Sequence, residues 1–300
     1  MDTGLPWFVP YAMRRATLSL TVAIVLLPAM AGVLHGDAAP ERLKDVLRRT
    51  AAWVDRFADE ALYVVADERY VQETWDAGAV APTERRELRS EIALVRTPPE
   101  DARFGFPWVQ FRDVIEVDGT PLPDRQGRLA ALFRHASASS YQQASSLIEE
   151  SARFNIGPIP RTVNVPSFVL FLLTARNQPR FRFRHVGDES IDGVAVTLVT
   201  YDEQERPTIV KSLERRDRPV KGRVWIESAT GRVLRTRLEA EAARTWTVAI
   251  DVEYGRDAPT GLWVPLVMRE HFGDRKGAHM DGVARYANFR RFETDARLVR

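Results

Sequence analysis

The chain contains no cysteine. Disulfides are therefore excluded, and so is a lipid anchor on a cleavage-site thiol; the fold must be held by its core alone. Net charge is nearly absent too. With 43 Lys and Arg against 41 Asp and Glu, the balance is +2, which gives no electrostatic reason to expect a nucleic-acid partner. Motifs that carry chemistry are also missing. No phosphate-cradling loop, no G-x-G-x-x-G, no H-E-x-x-H and no G-x-S-x-G occurs, so no cofactor is expected and nothing marks the chain as an enzyme. Beyond the N-terminal stretch there is no second long apolar run, no internal repeat and no low-complexity tract.

The N-terminal stretch has the order of a secretory signal. Arg14 and Arg15 form a basic start, Ala16–Leu34 is uncharged with an apolar heart at Leu18–Leu27, and Gly36-Asp37-Ala38 offers small side chains at a cleavage site. Residues 1–38 are therefore expected to be removed. Met13 is an alternative start, and an uncleaved anchor is the competing reading, disfavoured by Pro28 within the run. The expected mature chain, 39–300, would be periplasmic or secreted and not membrane-spanning. Its 262 residues are ample for one α+β domain.

Within that domain the apolar period changes along the chain. From Pro40, Leu43, Val46, Leu47, Val54 and Phe57 recur at helical spacing, predicting an amphipathic helix to about Glu60. The period then becomes two, predicting strands over Val65–Trp75, Arg89–Arg96 and Trp108–Val117, the last followed by the turn Asp118-Gly119. A helical insertion is expected over about 128–177. Leu129, Leu132 and Phe133 open it, Ser139 and Gln142 form a capping-box pattern, and Gly157-Pro158 interrupts it. Within it, Val165–Ala175 contains the consecutive apolar run Phe168 to Leu173. That run is too short for a bilayer and suits burial or insertion into a hollow.

From Phe181 onward strands follow one another: a hairpin at Asp192-Gly193, then Arg223–Glu227, Arg232–Glu239, Trp246–Tyr254, Trp263–Phe272 and Val283–Phe292. Short turns between them imply an antiparallel meander. The fold class is α+β: a large curved antiparallel sheet with an N-terminal helix and a helical insertion packed on or in it.

The segments GRVWIESATGRVLRTRLEAE, WTVAIDVEY, LWVPLVMREHF and ARYANFRRFE resemble the strand series of LolA-like proteins over about Phe181–Glu293. These are periplasmic half-barrels, incomplete β-barrels that hold lipid chains in an apolar hollow under short helices; the outer-membrane lipoprotein carrier is the best-known member. VVADERYVQ, SARFNIGPIPRTVNVP and LWVP are also similar to a set of exported bacterial proteins to which no activity is assigned. The insertion 128–177 is longer than a minimal carrier would need.

The resemblance implies a carrier for an apolar or lipid-like ligand, with a lipid, a lipidated protein or an envelope protein as partner. Phe168, Leu170, Phe171, Leu172, Trp225, Trp246 and Trp263 are the candidate lining. The alternative is that these residues form an ordinary core, leaving an interaction or scaffold protein. A third reading starts from His271 and His279. If Gly273–Gly277 is a hairpin loop centred on Arg275, the two histidines face each other with Asp281 diagonal to them, a candidate ligand set for Zn²⁺ or a similar ion in a metal-dependent enzyme; the competing reading is a solvated hairpin tip. Asp67 and Glu68 are adjacent on a strand and so point to opposite faces, each expected to meet an Arg or water.

Overall fold

The computed structural model describes residues 38–62, 64–96, 108–125, 127–129, 147, 150–157, 164–211, 216–243 and 246–291, all within a compact unit spanning Asp37–Arg300. Residues 1–37 of the expected signal segment and half of the helical insertion, including Ser139 and Gln142, lie outside the described residues.

Helix α1 (Ala38–Ala61) precedes strands β1 (Val64–Trp75), β2 (Glu84–Arg96), β3 (Trp108–Val117) and β4 (Thr120–Pro121). A short helix α2 (Phe168–Leu172) and a 3-10 turn (Gln178–Arg180) follow. Then come β5 (Phe181–Ile191), β6 (Val194–Glu203), the two-residue strands β7 (Val210–Lys211) and β8 (Asp217–Arg218), β9 (Lys221–Glu227), β10 (Val233–Ala243), β11 (Trp246–Arg256), β12 (Trp263–Asp274) and β13 (His279–Arg291).

Among the described residues, eleven strands form one open, curved antiparallel sheet in the order β4-β3-β2-β1-β13-β12-β11-β10-β9-β6-β5. The α+β class read from the sequence is the one observed. The turns follow the chemistry of their residues. Asp118-Gly119 and Asp192-Gly193 all have positive φ, with glycine at 80° in both hairpins, the geometry that matches the twist of paired strands.

Alternation decides the two faces. On β1, Ala66, Glu68, Tyr70 and Gln72 are buried, whereas Asp67, Arg69 and Val71 are not. The same face continues through Leu88 on β2, Met268 on β12, Ile250 on β11, Leu238 on β10 and Val224 on β9. Helix α1 lies on this inner face. Its Val46, Leu47, Val54 and Phe57 are buried, a gross contribution of about 6–12 kcal/mol that chain entropy largely offsets. Phe57 meets Tyr254 edge-on at 6.5 Å.

The apolar run expected to insert into a hollow is buried beside it. Val169, Leu170, Phe171, Leu172 and Leu173 are each at most 4% exposed, and Phe171 packs edge-on against Trp108 at 6.3 Å. Burying so short a helix strands backbone carbonyls, which need partners. The Phe171 carbonyl accepts from Thr174 Oγ1 and Asn177 Nδ2, and Gln178 Nε2 donates to the carbonyls of both Leu173 and Leu47. One glutamine thus ties α2 to α1.

The outer face is mostly charged. It is also covered near β3, where Asp113 is 1% exposed and accepts from Arg128 Nε and Nη2 at 2.8 and 2.6 Å. The insertion therefore begins on the outer face. It returns on the inner face, where the Ile156 N–H donates to Gln72 Oε1 at 3.1 Å.

Candidate ligand cleft and the polar band beside it

Helices α1 and α2 fill much of the inner face, but not at the C-terminal end of α1. There a narrow, half-open cleft with about 40 Å³ of interior free space runs between the helix and the sheet. Phe57 and Ala61 form the helical wall; Val64, Ala66, Ile92, Leu94, Val264 and Phe289 form the strand walls. Its polar groups are few: Ser167 Oγ donates to Gln110 Oε1 at 3.4 Å at one side. An apolar concavity with one or two fixed polar groups is the usual form of a small-ligand site.

Beside this apolar surface, still on the inner face, lies a band of buried polar side chains. Arg112 grips Glu68 through Nε at 2.6 Å and Nη2 at 2.8 Å, and its guanidinium sits 5.2 Å from the centre of the Tyr70 ring. Tyr70 donates to Glu270 at 2.6 Å. Glu68, Tyr70 and Glu270 are all at most 3% exposed. Burial opposes the Arg112 charge, yet the charge and hydrogen bond of Glu68 hold its pKa above the usual value. Burial, reinforced by the Glu68 charge, pushes the Tyr286 phenol well above its ordinary range. Gly282 makes the room: a Cβ there would stand 2.9 Å from the Tyr70 ring and 3.2 Å from Glu270.

The residues singled out in the sequence separate into groups. Leu170, Phe171 and Leu172 are buried in the main core, and Phe168 packs on it half-buried. Trp246 is on the inner face at the start of β11, also half-buried. Trp225 is not in the hollow. Val224 and Ile226 take the inward positions of β9, so Trp225 points outward, where its Nε1 donates to Glu189 at 3.2 Å and Arg235 approaches its ring. Trp263 sits at the rim, donating to the Val233 carbonyl at 2.9 Å with the Arg232 guanidinium 4.2 Å over its ring.

The β12–β13 hairpin also differs in register from the expectation. Its loop centres on Lys276, because Asp274 accepts from the Lys276 and Ala278 N–H groups and Gly277 takes φ 95°. His271 therefore faces Asp281, and His279 faces Gly273. A two-residue change of partner preserves the face, so the three side chains do gather. His271 Nδ1 lies 2.7 Å from Asp281, the two imidazoles are 5.6 Å apart, and His279 stacks on Trp75 at 5.5 Å. They stand on the outer face, and among the described residues no three His, Asp or Glu are placed to hold a metal ion.

Sequence reasoning missed Arg112 and Glu270, and took Glu68 for a surface charge or an ordinary ion pair. One signal was present: Met268-x-Glu270-x-Phe272 puts a carboxylate in an inward slot between two apolar ones.

The sequence matches no family model and no curated protein. The solved structures do offer likenesses. This chain is similar to LolA-superfamily structures. A LolA superfamily protein from Nitrosomonas europaea is 11% identical with a TM-score of 0.34, over 83% of this chain and 96% of that one. A DUF1329 family protein from Desulfovibrio piger is 12% identical with a TM-score of 0.37, over 86% and 97%. The lipoprotein LppX from Mycobacterium tuberculosis is 10% identical with a TM-score of 0.28, over 84% and 99%.

A second acid group, with two of its three members buried, sits behind the cleft wall on the outer face. Asp67, Glu91 and Asp113 are directly opposite one another on β1, β2 and β3. Arg290 bonds both Asp67 and Glu91, while Arg125 and Arg128 pair with Asp113. Glu91 is only 5% exposed. Burial, with the neighbouring carboxylates, raises its pKa above the ordinary glutamate value of 4.5 against the pull of Arg290. A raised folded pKa means that ionised Glu91 costs stability, and the cost develops as pH rises past about 4.5. Glu91→Gln is therefore expected to be more stable than the parent at pH 7, with the difference closing by about pH 4. Urea midpoints measured across that range check it; a variant less stable at pH 7 contradicts the sign.

Proposed function

We infer that the chain is an exported envelope protein, with residues 39–300 as its mature form, and that it holds an apolar or lipid-like ligand without performing chemistry on it. The observation that carries this reading is the half-open cleft at the end of α1. Its walls are apolar and it opens to the outside; its interior free space of about 40 Å³ is that of a closed resting cleft, which a ligand chain widens by parting α1 from the sheet to reach the roughly 300–1,000 Å³ usual for such sites. The N-terminal signal pattern and the absence of nucleotide-binding motifs support an extracytoplasmic binding role.

A second reading is favoured by a different observation. Because α1 and the run Val169–Leu173 occupy so much of the inner face, the half-barrel serves equally as a filled scaffold that binds another envelope protein. Ligand occupancy separates the two. The chain isolated from the periplasmic fraction under native conditions should carry a co-purifying amphiphile in intact-mass spectra. It should also bind the fluorescent apolar probe N-phenyl-1-naphthylamine saturably. Ala66, at the floor of the cleft and 2% exposed, is the position to block. Ala66→Leu is expected to weaken probe binding at least tenfold while costing about 1–3 kcal/mol of stability. Unchanged affinity in a folded Ala66→Leu protein would remove the cleft as the site and leave the scaffold reading.

A further inference from the structure

Strand β5 ends the sheet, and its outer edge is unpaired among the described residues. Which backbone groups face outward follows from its neighbour. The Glu203 N–H donates to Val220 on the far side of β6, so Glu203, Tyr201 and Val199 direct their backbone groups away from β5. Their β5 partners are Phe181, Phe183 and His185, which must direct theirs to the open edge. The Phe181 N–H closes the preceding 3-10 turn on Gln178. That leaves the Phe181 carbonyl and both backbone groups of Phe183 and His185 as ladder positions with no described partner. The register shift between His185 and Gly187 ends the regular stretch and leaves Val186 56% exposed.

Beside this short edge runs an open groove between the flank of α1 and the start of β5. Leu47, Ala51, Ala52, Ala175, Pro179 and Phe183 give it an apolar floor. The rim is more basic than acidic. Lys44 and Arg48 border it on α1 and Arg182 and Arg184 stand exposed on the outer side of β5, against Asp45 and Asp55.

We propose that this edge is a docking site for an extended segment of an envelope partner protein, which adds as a further antiparallel strand over Phe181–His185. Strand addition takes affinity from main-chain bonds and specificity from alternate side chains. Residues of the segment on the α1 side must be apolar to enter the groove. Those on the other side meet Arg182 and Arg184 and must be acidic. The partner sequence is thus one in which acidic and small apolar residues alternate. The site is distinct from the apolar cleft, which lies past Phe57 on α1 against β1, β2 and β12, away from the β5 edge.

The test uses the full exported chain and a fluorescein-labelled peptide of six residues alternating Glu and Val. Saturable anisotropy with new amide-exchange protection at Phe183 and His185 is expected. Two series of peptides, N-methylated at alternate residues, should separate: one loses binding by roughly tenfold or more, the other does not, since only one set of N–H groups can face the ladder. Arg184→Glu should weaken the Glu/Val peptide by roughly tenfold and favour a Lys/Val one. Absence of saturation, equal effects of both N-methyl series, or protection confined to other strands would overturn the proposal. Equal binding of the Lys/Val peptide by the parent protein would overturn the charge assignment and with it the proposed partner class.

Discussion

Arg112→Met is expected to lower the unfolding free energy by about 3–5 kcal/mol, the cost of leaving a buried charge without its partner. Glu68 is 2% exposed, and Arg112 meets both of its oxygens. Without the guanidinium, the Glu68 carboxylate faces Tyr286 and the apolar packing of the inner face with nothing to neutralise it. Arg112→Lys should recover only part of the loss, because an ammonium cannot reproduce the two-pronged contact with Glu68. The informative comparison is the double variant Glu68→Leu with Arg112→Met. A buried pair replaced by apolar residues of similar volume is often neutral or stabilising by 1–4 kcal/mol, so the double variant should be much more stable than Arg112→Met alone. Urea unfolding of the four proteins closes the cycle; additive losses would mean that the pair is not coupled and that Glu68 has another partner.

The pair has a consequence for the hollow that its energy alone does not convey. Glu68 is followed backward by Asp67, another acid, so a slip of β1 by one residue would exchange one carboxylate for the other on the inner face. Only Glu68 finds Arg112 inside; Asp67 finds Asn288 and Arg290 outside. The two acids with separate cations therefore hold β1 in register at the middle of the sheet, where β2 and β13 flank it. In the Glu68→Leu, Arg112→Met protein this restraint is gone, and a broader unfolding transition despite undiminished stability is the expected sign of it.

The fold was legible because its signals are local. Period-two alternation marked nearly every long strand, Asp-Gly pairs marked two hairpins, and the spacing from Leu43 to Phe57 marked α1. What was not legible depends on residues far apart in the chain. Alternation on β9 separates Trp225 from Val224 and Ile226 but does not say which of the two faces is inward. Hairpin register at His271 depended on whether the loop centres on Arg275 or Lys276, a choice that moves its partner by two residues. Bulges compound the difficulty: the shifts at Val65/Asp67, Val233/Arg235 and Glu253/Tyr254 each change which residues share a face. The polar band was hidden for the same reason. Arg112 and Glu270 read as surface charges until the sheet places them beside Glu68 and Tyr70. The cleft itself is a gap between elements, and a gap has no residues of its own.

Gly222→Ala should be among the most damaging single-methyl changes in the protein, at about 3 kcal/mol or more, at or above the upper end of ordinary overpacking. The reason is the identity of what the new Cβ would meet. It would lie 1.9 Å from the Arg237 carbonyl oxygen and 2.7–2.8 Å from Oη and Cζ of Tyr201. The Tyr201 ring lies across Gly222, and its hydroxyl donates to that same Arg237 carbonyl at 3.0 Å. A side chain can turn aside, but a ladder carbonyl can move only if β9 and β10 part. Trimming the tyrosine therefore should not rescue the variant: Gly222→Ala with Tyr201→Ala remains as unstable as either change predicts. Gly282→Ala is the control. The three atoms nearest its Cβ would be side-chain atoms of Tyr70 and Glu270, at 2.9–3.2 Å, and these groups can shift, so the loss should be smaller. Urea midpoints order the three proteins. A loss below about 1 kcal/mol for Gly222→Ala would show that β9 and β10 stand farther apart at this rung, and that Tyr201 does not bridge them.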